Sequence, residues 1–156
     1  MSLKDKIVGR PIRVNRQRLV VRKNNYAEVI FLGDVHYGSP QCDIERFQKM
    51  LDYCLSRRIY VFLMGDMIEM ATRESVGAGV YEQEKIGQTQ YEEMIEMLRP
   101  LAKARLILGL LEGNHEERVY KETGYDISKA LARELKIPYL GDACWPRNPP
   151  RSRLRP

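Results

Sequence analysis

Three apolar runs, residues 28–32, 60–64 and 106–111, each end in glycine followed by polar residues that bind metals or move protons. The first runs into Gly33-Asp34-Val35-His36, the second into Gly65-Asp66, and the third into Gly113-Asn114-His115-Glu116. Val29-Ile30-Phe31-Leu32 is apolar without alternation, the pattern of a strand covered on both faces. Such runs separated by helical segments predict βαβ units with right-handed crossovers. Open parallel sheets build their ligand sites at the carboxyl ends of the strands. The three strings therefore place Asp34, His36, Asp66, Asn114 and His115 along one edge of a parallel sheet. The glycine ahead of each string lets the backbone turn sharply where its strand ends.

The segments between the runs support this reading. Ile44, Phe47, Met50, Leu51, Cys54 and Leu55 recur at helical spacing and predict a helix over 43–57. Thr89-Gln90-Tyr91-Glu92 has the form of a capping box. It predicts a helix with Met94, Ile95 and Leu98 inward, ended or kinked at Pro100. A further helix is predicted over 126–135, with Ile127, Ala130, Leu131 and Leu135 inward, followed by a short apolar piece and Gly141. Upstream, 16–23 and 26–32 read as strands joined by a tight turn at Asn24-Asn25. Residues 71–87, with Gly77 and Gly79, read as an irregular connection, long enough to be a functional loop or lid. The fold class is α/β.

A chain of 156 residues is about one domain. The expected organisation is a domain over 1–145, incomplete at its C-terminal side, and a disordered Arg/Pro-rich tail over 146–156. No apolar run approaches the roughly 20 residues needed to cross a bilayer, so no membrane association is expected. The first residues lack the apolar core of a secretory signal. Three cysteines without a CxxC pair suit reduced thiols and a cytoplasmic protein. Residues 1–23 carry a net +7 and the last ten +4, which against a whole-chain +5 leaves −6 on residues 24–146. Basic ends around an acidic body attract phosphate-bearing partners such as nucleotides or nucleic acid. The blander reading is that terminal charges only solvate the chain ends.

The five edge residues suit a pair of divalent metals. Asp34 and His36 offer one oxygen and one nitrogen, Asp66 can bridge two ions with its two oxygens, and Asn114 offers a carbonyl. Mixed O/N donors favour Mn²⁺, Fe²⁺, Zn²⁺ or Co²⁺ over Ca²⁺ or Mg²⁺. Two ions about 3.5–4 Å apart can activate a hydroxide and neutralise a phosphoryl group. His115 is placed to donate a proton to a leaving alkoxide, with Glu116 orienting its imidazole or pairing with Arg118.

These ordered strings resemble the calcineurin-like metallophosphoesterase family, whose pattern is Asp-x-His, Gly-Asp and Gly-Asn-His followed by two later histidine motifs. The resemblance spans roughly 28–141. It implies an α/β sandwich, of which this chain supplies the N-terminal βαβαβ half, with metal-binding loops at the carboxyl ends of the strands. It implies that Asp34 and His36 bind a first metal, Asp66 bridges both, Asn114 binds the second, and His115 contacts the scissile phosphate of a phosphoester. Manganese is the first expectation for both ions.

Two departures shape that expectation. Glu69-Met70-Ala71 stands where protein serine/threonine phosphatases carry Asp-Arg-Gly, so the phosphate-binding arginine is missing there, leaving Arg73 and Arg118 as substitutes. No histidine follows His115, so the later histidine motifs are missing. The competing expectation is therefore a truncated, catalytically impaired remnant, or a half-site completed by a partner chain or second subunit.

Overall fold

The computed structural model describes residues 26–72, 81 and 83–142 in full and the backbone of 13–15 and 144–146. In chain order the elements are β1 (Arg13–Asn15), β2 (Val29–Leu32), α1 (Ile44–Arg57), β3 (Tyr60–Leu63), α2 (Gly87–Lys103), β4 (Ile107–Leu111), α3 (Asn114–Thr123), α4 (Ile127–Leu135), β5 (Tyr139–Gly141) and β6 (Cys144–Pro146).

The chain forms an α/β fold on a four-stranded, wholly parallel sheet of order β2-β3-β4-β5. Strands added in one direction by right-handed crossovers put every crossover helix on the same face. Accordingly α1 packs on α2, and α2 on α4. β3 is one of the two inner strands and all four of its residues are buried, as its unbroken apolar run requires. The core joins Val61 and Leu63 to Leu51 and Cys54 of α1, Met94 and Leu98 of α2, and Leu131 of α4. β1 and β6 pair in parallel as a separate two-stranded sheet.

Local signals explain the boundaries. Asp43 caps α1, its carboxylate accepting from the Arg46 N–H at 3.0 Å. Asp126 caps α4 in the same way through the Lys129 N–H at 2.8 Å. Three differences from the sequence reading stand out. First, α2 starts at Gly87 rather than at Thr89, with extended Ile86 as its N-cap. Gln90 explains the earlier start: fully buried, it accepts from the Met70 N–H at 2.8 Å and donates to Gln83 and to the Lys85 carbonyl. The amide thus anchors the preceding loop, and no Thr89 cap forms. Second, α2 runs three residues beyond Pro100, because a proline in the last turn forfeits one bond while Leu101 is buried in the core. Third, Gly113-Asn114-His115 does not continue as a loop but opens α3.

On α4 the buried set is Ile127, Ser128, Leu131, Ala132 and Leu135, with Ala130 only half-buried. Pro146, read from sequence as the first residue of an unstructured tail, is the last residue of β6. The predicted strand 16–23, its Asn24-Asn25 turn, residues 73–80 of the long loop and the tail over 147–156 lie outside the described residues. No helix among the described residues is long and apolar enough to cross a membrane.

Candidate metal centre

β2, β3 and β4 end side by side, and the loops that leave them are laced together. The first loop hydrogen-bonds along the second: the N–H groups of Val35 and His36 donate to the Asp66 carbonyl at 2.8 and 3.0 Å, and the Tyr37 N–H donates to the Met67 carbonyl at 3.1 Å. The Glu69 N–H returns to the Tyr37 carbonyl at 2.9 Å. The second loop is held to the third through Asp66, whose Oδ1 accepts the His115 N–H at 2.9 Å. Asp66 thereby caps α3 from across the sheet, satisfying an orphan amide of its first turn and placing negative charge at the positive end of the helix. Its other oxygen remains for a ligand.

The backbone here is strained in a telling way. Among the described residues seven non-glycine residues have positive φ, and three of them (Arg58, Arg105 and Lys136) follow helix ends. The other four are Asp34, His36, Asp66 and Met70, with φ from 42° to 53°. Each such conformation costs on the order of 1–3 kcal/mol and persists only where the surroundings enforce it. Three of the four are residues that the sequence marks as metal ligands.

Glu116 enforces part of it. This buried carboxylate accepts from the N–H groups of Asp66 at 3.0 Å, Met67 at 2.8 Å and Ile68 at 3.4 Å. The expectation that Glu116 orients the imidazole of His115 is corrected: it holds the second loop, and the partner of His115 is Glu69. The reason lies in α3, since a helix beginning at Asn114 turns residue 116 inward beside the loop. Burial pushes the Glu116 carboxyl above its ordinary pKa, with the backbone donors opposing that rise.

Two overlapping groups of ligating atoms result. Asp34, His36 and Asp66 can each place a donor within 4.8 Å of the others, and so can His36, Glu69 and His115. His36 belongs to both. Its Nδ1 lies 3.0 Å from Glu69 Oε2, and its Nε2 lies 3.8 Å from Asp34 Oδ1. With the Nδ1 proton donated to Glu69, the Nε2 lone pair faces Asp34, the usual arrangement in which a carboxylate fixes the tautomer of a ligating histidine. His115 Nδ1 approaches the Glu69 carbonyl at 3.0 Å and Oε1 at 3.5 Å. The two imidazoles meet edge to face with centroids 4.3 Å apart. Behind them Tyr37, Lys85 and Glu93 form a hydrogen-bonded triad that secures the first loop to α2. Lys85 holds the Glu93 carboxyl below its ordinary pKa.

The donor set fits a divalent transition metal, for it mixes carboxylate oxygens with imidazole nitrogen. Asp34 is the outermost, its side chain 87% exposed, whereas His36 and His115 are 30% and 18% exposed. Asn114 stands apart: it is exposed on the first turn of α3, and its side-chain amide makes no hydrogen bond among the described residues. Of the arginines considered for phosphate binding, Arg118 is half-buried on α3, and Arg73 lies outside the described residues.

The sequence reading did not assign Glu69 or the loop-holding role of Glu116. Glu69 had a faint signal, an acid three residues after Asp66 in a loop already suspected of carrying ligands. Glu116 had none until α3 was known to start at Asn114.

Glu69 carries a prediction. Glu69→Gln keeps the shape but weakens the acceptor for His36, and substitutions at such an outer partner cost about 10–100-fold in metal affinity. A Mn²⁺ titration by calorimetry checks it, and unchanged affinity would remove Glu69 from the site.

No family model, no curated protein and no solved structure matches this chain.

Proposed function

We propose that the chain is a metal-dependent phosphoester hydrolase of the calcineurin-like metallophosphoesterase type. The observation that carries the reading is the convergence of Asp34, His36 and Asp66 at the carboxyl ends of neighbouring parallel strands, with His115 tied by its amide to Asp66. Two divalent ions, Mn²⁺ foremost, would be held by Asp34, His36, Asp66 and Asn114. When bound they supply positive charge against the phosphoryl oxygens and acidify water. The finer architecture that goes with this reading is a two-sheet sandwich with the four-stranded sheet as one layer.

The chain's own residues then divide the work. Asp34, the most exposed donor, stands at the mouth of the site. Glu69 fixes the tautomer of His36 and the ring of His115. With Nδ1–H of His115 donating to the Glu69 carbonyl oxygen, Nε2 has a proton to give only when the ring is the doubly protonated imidazolium. As water adds to phosphorus and gives up one proton to solvent, the ester P–O bond breaks and the Nε2 proton passes to the leaving oxygen, leaving a neutral imidazole and no free alkoxide.

His115→Asn removes the proton donor and retains the backbone N–H that Asp66 binds. Turnover of bis-(p-nitrophenyl) phosphate is expected to fall by about 10²–10⁴-fold, with Mn²⁺ content unchanged by elemental analysis. Unchanged turnover would remove His115 from the reaction.

A second reading is a half-site that needs a partner chain. It is favoured by the donor count, because the sequence holds only two histidines and Asn114 with a shared Asp66 is a sparse set for a second ion. Metal bound without hydrolysis is the result this reading expects.

A further inference from the structure

Beside the ligand cluster, sharing Asp34 with it, a cavity of about 330 Å³ opens between the end of β2 and the first turns of α1. Its size lies at the lower end of the roughly 300–1,000 Å³ typical of small-molecule sites. Leu32, Val35, Phe47 and Met50 give it apolar walls. Phe47 is buried, whereas Leu32, Val35 and Met50 are only half-buried and so leave apolar surface for a guest. Three charged groups set its polarity, one of them Asp43, whose carboxylate caps α1. Asp34 is shared with the metal centre, and Arg46 is exposed on the rim. The Arg46 backbone N–H is taken by Asp43, but its guanidinium makes no ion pair or hydrogen bond among the described residues. An arginine left unpaired beside an apolar cleft can bind a phosphoryl oxygen and stack on a flat ring at once.

We propose that this cavity is the subsite for the organic group of the substrate, and that it selects phosphoesters bearing a flat, ring-sized group, aryl or nucleoside, over small alkyl esters. The proposal rests on the phosphoesterase reading and deepens it. With the phosphoryl group at Asp34, His36 and Asp66, one ester substituent projects past Asp34 into the cleft. There the ring lies against Val35 and Met50, and Arg46 spans from the ring face to a phosphoryl oxygen.

Calorimetric binding of phenylphosphonate and methylphosphonate to the Mn²⁺-loaded chain tests this without turnover, because a C–P bond is not hydrolysed. Phenylphosphonate is expected to bind about tenfold or more tightly. Met50→Glu should abolish that preference while methylphosphonate still binds, Met50→Leu should keep it, and Arg46→Gln should weaken phenylphosphonate the more. Equal binding of the two phosphonates, or a preference that survives Met50→Glu in a variant with wild-type thermal unfolding, overturns the subsite. In those cases methylphosphonate binding still supports a phosphoryl site. Binding of neither ligand overturns both readings together.

Discussion

Replacing Glu116 by alanine is expected to destabilise the protein by about 3–5 kcal/mol, the scale for removing one partner of a buried, charge-assisted network. The magnitude follows from what the carboxylate holds. Three consecutive backbone N–H groups, those of Asp66, Met67 and Ile68, point at its two oxygens. Met67 and Ile68 are themselves buried, so no bulk solvent replaces the lost acceptor. Each donor left unsatisfied costs about 1–3 kcal/mol. Part of the gross loss is returned because burying the carboxylate is itself unfavourable, as its raised pKa indicates. Glu116→Gln keeps one acceptor oxygen and should cost less. Urea unfolding of the two variants checks the order, and a loss under about 1 kcal/mol for Glu116→Ala would mean that these amides have other partners. Function should follow stability: without Glu116 the Asp66 N–H loses the acceptor that helps hold this residue at φ 49°, and Mn²⁺ affinity should fall as well.

The second large effect is expected at Gly113. This residue has φ −96°, which any amino acid adopts, so the requirement for glycine is one of space. A Cβ built here would overlap the Asp66 backbone nitrogen, Asp66 Oδ1 and Glu116 Oε2. A Cβ at Gly65 would in turn strike the backbone of Gly113. The second and third loops thus touch glycine to glycine, and that approach lets Asp66 reach the His115 N–H. Forcing a methyl group into close-packed backbone costs about 1–3 kcal/mol, more where the neighbour cannot move. Gly113→Ala is expected to lose about 3 kcal/mol by urea unfolding and to weaken Mn²⁺ binding in whatever fraction folds. A variant of wild-type stability and metal affinity would show that the loops have room to part.

Much of this arrangement was legible in the residues, and the unread parts have physical causes. The apolar runs ending in Gly-Asp and Gly-Asn place three of the four strands of the parallel sheet, because a buried strand has few other ways to be written. Asp43 and Asp126 mark their helix starts because an acid before an amphipathic stretch has a local role. The Thr89 pattern misleads because capping there competes with a buried hydrogen-bond demand of the preceding loop, and Gln90 meets that demand. Glu69 and Glu116 escape for a related reason. Both act on groups far away in sequence, 33 residues from His36 and 49 or 50 from the amides of Met67 and Asp66, and no local period encodes such pairings. The ligands themselves are readable by their chemistry, whereas the residues that hold them are readable only once the loops are folded together.

The most direct test is Mn²⁺ retention and bis-(p-nitrophenyl) phosphate hydrolysis, measured together on the purified chain and its Asp66→Ala variant. A metallophosphoesterase centre built on Asp34, His36 and Asp66 predicts bound Mn²⁺ and Mn²⁺-dependent hydrolysis in the parent, with both lost in the variant. A parent chain that neither retains Mn²⁺ nor hydrolyses the diester, or an Asp66→Ala variant that does both as well as the parent, would contradict it.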